Sequence, residues 1–216
     1  KEVVEKIPAD SVLHLSINDS IRITNFFKLN PRIKTYANIG THGIDGCLSS
    51  FLGQAAAGNK QSYLVIGDLA FFYDMNAMRL RHIKNNVHIL LINNEGGSEF
   101  YFNHMWKDEA SDLHTTARHH TKAEGWVKSN NFIYLSAHDK ESMQEALKEF
   151  MRSDLEKPVF LEVFTEMKTD SDVIYDFFDL SRPKDVQSET IRRSKEFIKA
   201  TIGQEKAQKI AGLFKK

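Results

Sequence analysis

Two apolar runs rich in β-branched residues constrain this chain more than anything else in it: SYLVI at 62–66 and VHILLI at 87–92. Neither alternates apolar with polar, so both predict strands buried on two faces, the habit of a parallel sheet. Between them, residues 71–82 have helical spacing, with an apolar stripe running through Phe72, Met75, Met78 and Leu80 to Ile83. Strand, helix, strand is a βαβ unit, and ligands of such units collect at the carboxyl ends of the strands. At those ends sit Gly67-Asp68 and Asn93-Asn94-Glu95-Gly96.

The flanks extend the pattern. Residues 12–17 and 34–38 predict strands, with Asn18-Asp19-Ser20 as cap chemistry for a helix to about residue 29. The turn from Gly40 to Gly46 opens a helix that runs to a C-cap at Gly58. Residues 95–120, polar and aromatic without a steady period, predict a long loop with a turn or two of helix. A brief helix at 121–128, a strand at 132–136, a capped amphipathic helix at 139–151 and a strand at 158–165 that closes the sheet complete the run. Five or six strands alternating with helices predict an α/β domain, three layers deep, with a mostly parallel sheet. The tail at 184–216 reads as helical, its nine Lys/Arg against four Asp/Glu making a solvated face.

Composition narrows the function classes. The 216 residues are 41% hydrophobic, enough for one large core. Lys+Arg 29 balance Asp+Glu 29, so no global charge calls for nucleic acid or an anionic membrane. No apolar run approaches the roughly 20 residues of a membrane span. A lone cysteine, Cys47, leaves no internal disulfide, and with no signal peptide at the start it points to a cytoplasmic protein. The charged lead KEVVEKIPAD carries no methionine and suggests a piece of something longer.

Magnesium takes near-octahedral oxygen ligands and combines one or two protein groups with phosphate oxygens and water. Asp68 and Asn94, at neighbouring strand ends, offer a carboxylate and an amide oxygen, and the Gly96 carbonyl could add a third ligand. Gly67 has no side chain to keep a phosphate from the backbone, and the N–H groups of Leu69 and Ala70 open a helix, a place that favours anions. Gly-Asp and Asn-Asn are equally ordinary turn dipeptides, so spacing alone leaves both readings open.

Gly67-Asp68 followed by Asn93-Asn94 resembles the thiamine diphosphate signature: Gly-Asp, a spacer, then Asn-Asn. The segments YANIGTHGIDGCLSSFLGQAAAG, GDLAFFYDMNAM and LLINNEGGSEF together resemble the C-terminal domain of the menaquinone-pathway SEPHCHC synthase family, over residues 7–165. The resemblance implies a thiamine diphosphate-binding fold at 1–183, with 184–216 as an appended tail. It implies a Mg²⁺ ion held by Asp68, Asn94 and Gly96. It implies a cofactor site built from the turn Gly40, Thr41, His42, Gly43 and Ile44, from Gly67, Asp68, Leu69 and Ala70, and from Asn94, Gly96 and Phe100. Ile44 matches the bulky residue that props the cofactor into its bent form, with the His42 carbonyl and Ile44 N–H against its aminopyrimidine. The implied activity is that of a lyase or transferase, decarboxylating a 2-oxoacid and ligating the product to an acceptor.

Two departures qualify the substrate. Ile39 stands where the family commonly has arginine, and Ser98-Glu99-Phe100 replaces an apolar lead into phenylalanine. Losing a cation and gaining a carboxylate predicts weaker hold on a multiply anionic substrate such as isochorismate, and so another 2-oxoacid. Glu99 and His42 are the candidate catalytic residues, Glu99 as acid/base or substrate contact and His42 as proton carrier; the bland readings are a solvated loop carboxylate and a shaper of the pocket. The glutamate that protonates the cofactor's pyrimidine comes, in this superfamily, from a separate pyrimidine-binding domain. The expected partners are therefore that domain, fused upstream or on another subunit, and further copies of the chain in a homodimer or homotetramer. A non-catalytic assembly or regulatory protein that keeps the fold is the rival reading. A flavodoxin-like nucleotide binder is disfavoured, since no Gly-x-Gly-x-x-Gly follows the first strand. His114, His119 and His120 lack the partners of a zinc set, Trp106 and Trp126 read as packing, and Cys47 as a small core residue.

Overall fold

The computed structural model describes residues 1–101 and 113–181. The chain divides into two compact units, 1–174 and 175–216. Of the second, only the helical residues 175–181 are described; the expected tail at 184–216, like Trp106, lies outside the described residues.

The first unit carries strands β1 (Val12–Leu15), β2 (Lys34–Ala37), β3 (Ser62–Gly67), β4 (Val87–Asn93), β5 (Ile133–Ala137) and β6 (Val159–Phe164). They form one six-stranded sheet in the order β2-β1-β3-β4-β6-β5. Every neighbouring pair is parallel, so the α/β expectation holds. Helices α1 (Glu2–Lys6), α2 (Asp19–Asn25), α3 (Cys47–Ala57), α4 (Asp68–Asp74), α5 (Ser98–Tyr101), α6 (Glu124–Ser129), α7 (Lys140–Phe150) and α8 (Met167–Ser181) connect or follow the strands. The central strands are buried on both faces, as their uninterrupted apolar runs require. Leu64, Ile66, Ile89 and Leu91 pack with Leu48, Phe51 and Phe71 on one side. Tyr63, Val65 and Leu90 pack with Leu13, Leu147 and Phe150 on the other. Cys47 is buried in the first of these clusters, and Trp126 packs against it while donating its indole N–H to the Met75 carbonyl.

Several local expectations shift. The strand at 158–165 does not close the sheet: β6 is inserted between β4 and β5, and β5 is the edge. The central helix starts at Asp68 rather than residue 71 and finishes in a 3-10 turn, Met75–Arg79. The helix after β1 is shorter than expected, and Asn18, at φ 65°, makes no side-chain cap. Asp139 does cap α7, in a reciprocal box with Ser142.

The strand order places two crevices on one rim. The chain leaves β1 for β2 on one side and returns to β3 on the other, so the carboxyl ends of β1 and β3 part. A second reversal follows β4, where the chain goes out to β5 and comes back through β6.

On the opposite rim His88 is fully buried, its Nδ1 2.7 Å from the Phe150 carbonyl oxygen and its Nε2 2.7 Å from the Gln61 carboxamide. Burial, opposed by the Phe150 bond, pushes its pKa down to about 4. Between the ordinary value of 6.5 and about 4, the unfolded chain takes up a proton that the folded chain refuses. Stability is therefore intact above 6.5 and falls as pH falls through that window. The parent should be about 2 kcal/mol less stable at pH 5 than at pH 7 from this group alone, with His14, whose pKa burial also lowers, adding in the same sense. Urea unfolding at both pH values should show the difference, and shrink it in His88→Gln. An unchanged pH slope in that variant would assign the effect elsewhere.

Candidate cofactor and metal site

β3 and β4 end side by side, with Gly67 opposite Ile92 in the parallel register. The next residues along, Asp68 and the loop from Asn93 to Gly97, therefore meet. Asp68 is 2% exposed. Its Oδ2 accepts the backbone N–H groups of Asn94 (3.1 Å) and Gly96 (3.0 Å), and its Oδ1 accepts that of Leu69 (2.6 Å). The side chain sits here because it opens α4 directly from the strand, with no intervening loop to carry it away.

The 93–97 loop is held in an uncommon backbone. Glu95 has φ 65° and Gly96 φ 155°, left-handed values that persist in a non-glycine only where neighbours enforce them. The Asn93 side-chain oxygen accepts the Glu95 N–H (3.2 Å), and Glu95 in turn accepts the His119 N–H (3.0 Å). A Cβ on Gly96 would stand 2.6 Å from Met167 Cε and 2.7 Å from the Thr116 carbonyl oxygen, so only glycine fits. Gly67 faces open space instead, which leaves its backbone approachable.

Asn94 completes the arrangement. Its Nδ2 donates to Asp170 Oδ2 (3.0 Å), and its Oδ1 accepts nothing among the described residues. Asp170, on α8, also accepts the Thr165 hydroxyl (2.6 Å). Burial pushes the Asp170 carboxyl above the usual range, with the bonds from Thr165 and Asn94 working against it. His119 Nδ1 accepts the Thr121 N–H (3.0 Å), which places the ring proton of the neutral form on Nε2. That buried Nε2 has no hydrogen-bond partner among the described residues and lies 3.4 Å from Asp68 Oδ2. His120 turns away to Glu95, 3.0 Å from its Oε2, and His114 is exposed.

Asp68, Asn94, Gly96 and Asp170 line a cavity of about 300 Å³ between the strand ends. Of the residues singled out by sequence, it gathers Gly67, Asp68, Leu69 and Ala70 from one crossover, then Asn94, Gly96, Glu99 and Phe100 from the next, and His42 and Ile44 from the turn before α3. Gly40, Thr41 and Gly43 belong to that same turn but do not line it. His42 is at φ 55°. Glu99 is ion-paired: Arg22 Nη2 donates to it at 2.6 Å, while Arg22 Nη1 reaches Asp19 at 3.3 Å. Sequence reasoning missed the stretch from Ser16 to Ser20, which follows β1 exactly as Asp68 follows β3 and could have been found by that rule. It also missed Asp170 and Arg22, which no local pattern marks.

The donor set can be judged against a metal. Among the described residues, no three His, Cys, Asp or Glu side chains cluster as a metal site would. Asp68, Asn94 Oδ1 and the Gly96 carbonyl are all hard oxygens, the set a magnesium ion shares with phosphate and water. Asp19, Asp68, Glu99 and Asp170 make the cavity wall acidic. Arg22 offsets Asp19 and Glu99, and a cation at Asp68 would ease the approach of an anionic ligand.

No protein-family model matches the chain. Curated proteins do. A 2-succinyl-5-enolpyruvyl-6-hydroxy-3-cyclohexene-1-carboxylate synthase from Bacteroides fragilis is 37% identical over 178 residues, 82% of this chain and 32% of that protein. Its namesake from Bacteroides thetaiotaomicron is 35% identical over 184 residues, covering 84% and 33% respectively. The one from Flavobacterium psychrophilum is 34% identical over 177 residues, covering 82% and 32%. The chain thus spans about one third of the length of the relatives it matches. Over more than four fifths of its length, this chain is a homologue of a portion of the 2-succinyl-5-enolpyruvyl-6-hydroxy-3-cyclohexene-1-carboxylate, or SEPHCHC, synthases.

Proposed function

We propose that this chain supplies the diphosphate- and Mg²⁺-holding half of a thiamine diphosphate-dependent enzyme that decarboxylates a 2-oxoacid and ligates the fragment to an acceptor. The other half would come from a pyrimidine-binding domain, fused to it or on a second subunit, in a homodimer or homotetramer. One observation carries the reading: Asp68 Oδ2 binds the N–H groups of Asn94 and Gly96, so the Gly-Asp and Asn-Asn segments form one oxygen-rich corner.

In that corner Asp68, Asn94 Oδ1 and the Gly96 carbonyl would hold Mg²⁺, and the bare backbone at Gly67 would admit the diphosphate. The cofactor, when bound, supplies an electron sink for breaking the carbon–carbon bond beside a carbonyl. The chain's own part is to orient and to exclude water. Ile17, Ile23, Ile44, Ile92 and Phe100 give the cavity apolar walls, and Ile44 would prop a bent cofactor. His42, on the wall, is the candidate proton carrier. Glu99, neutralised by Arg22, is better suited to holding that cation than to abstracting a proton. Since Arg22 is already shared between Glu99 and Asp19, the site would favour a less highly charged 2-oxoacid than isochorismate.

Titrating thiamine diphosphate onto the chain, alone and mixed with the pyrimidine-binding domain of a curated relative, tests this. Saturable binding that requires Mg²⁺ and disappears with a chelator is expected. A folded chain that binds in neither arm would overturn the reading and leave the non-catalytic assembly role.

A further inference from the structure

The first turn of α8 does more than end the sheet. Within residues 165–171 three contacts converge on the 94–98 loop. Asp170 takes the Asn94 amide, Ser171 Oγ donates to the Ser98 carbonyl (2.9 Å), and Met167 covers Gly96. Asp170 is itself steadied by Thr165 (2.6 Å).

An asparagine side chain has two nearly isosteric ends, and only the oxygen can bind a cation. Something must decide which end faces the cavity. A carboxylate can only accept, so it takes the NH₂ and turns the carbonyl the other way. We propose that Asp170 is a positioning residue that fixes the Asn94 carboxamide with Oδ1 presented to the cation. This rests on the metal-binding reading above, and adds to it a residue 76 positions away in the chain that touches neither Asp68 nor Gly96 by any hydrogen bond among the described residues.

The test is a double-mutant cycle on the chain, with Mn²⁺ and inorganic pyrophosphate as the probe and free Mn²⁺ followed by electron paramagnetic resonance. Asp170→Asn keeps the volume but offers Asn94 a donor as readily as an acceptor. Its Mn²⁺ dissociation constant should rise about tenfold or more, the range for outer-shell partners of a metal ligand. In an Asn94→Ala background the same substitution should change it less than about twofold, because the group it acts through is gone. Equal losses in both backgrounds would mean that Asp170 acts by its charge or as a direct ligand, and would overturn the proposal. So would an unchanged constant in Asp170→Asn, with the metal site itself intact. Absence of Mn²⁺ binding by the parent chain would instead bring down the metal-binding reading, and this proposal with it. A second readout needs no metal: the Asn94 side-chain amide protons in a ¹⁵N spectrum should show a strong hydrogen bond in the parent and lose it in Asp170→Ala.

Discussion

Asp68→Ala should abolish Mg²⁺-dependent diphosphate binding and weaken the fold at the same time. Removing the only carboxylate among the three expected ligands should lower Mn²⁺–thiamine diphosphate affinity by at least roughly 100-fold, beyond what outer-shell changes cause. The structural cost has a separate origin. The N–H groups of Asn94 and Gly96, both in buried residues, lose the acceptor they share, and each unsatisfied donor costs about 1–3 kcal/mol. Asp68→Asn separates the two effects, since its amide oxygen can still accept while the charge is gone. That variant should recover much of the stability and little of the affinity. Thermal unfolding and calorimetric titration of both proteins measure the split. If Asp68→Ala bound the cofactor as the parent does, Asp68 would be a loop fastener and nothing more.

The second large effect lies behind the cavity. Glu162, in the middle of β6, is fully buried. It accepts the Asn93 amide (2.7 Å), the Ala123 N–H (3.1 and 3.2 Å) and the Tyr134 hydroxyl (2.6 Å). Burial, then the bond to Glu162, pushes the Tyr134 phenol well above its usual range, which keeps it a donor. Glu162→Ala strips the acceptor from all of these at once and should cost roughly 3–5 kcal/mol. For a unit of this size that is a fall in Tm of about 6–20 °C. Glu162→Gln keeps one acceptor but turns an NH₂ toward donors, and should fall between parent and alanine variant. Because Asn93 also holds Glu95 in its left-handed conformation, the loss should reach the 93–97 loop and weaken cation binding too. A Glu162→Ala protein that melts with the parent would show that water replaces the carboxylate at no cost.

What the sequence revealed and what it hid divide along a physical line. The burial of β3 and β4 on two faces was written in their apolar runs, and the return of the chain after a strand-helix-strand excursion brought Asp68 and Asn94 together as expected. Those are local patterns plus one topological rule. The position of β6 was not legible, because an apolar strand of six residues reads the same in the interior as at an edge. Glu162 reads as an outward-facing charge in PVFLEVFT until its partners 28 to 69 residues away are known. Asp170 and Arg22 act across 76 and 77 residues, and no spacing in a single sequence encodes such a meeting. Glu99 lines the cavity as well as pairing with Arg22, a partner 77 residues away that its own segment does not announce. The 102–112 part of the long loop and the 184–216 tail lie outside the described residues.

Because all six strands run one way, the turns fall into two classes with different duties. The turn entering β4 is stitched to the scaffold by carboxamides: Asn86 holds the Ala55 and Lys60 carbonyls, and Asn85 holds that of Leu155. The carboxyl ends of the strands, with the turns and helices that follow them, carry the described residues that line the cavity. Mutation can therefore rewrite what such a protein grips on one rim while the seams on the far rim keep the sheet in register, a separation that lets new specificities arise without a new architecture.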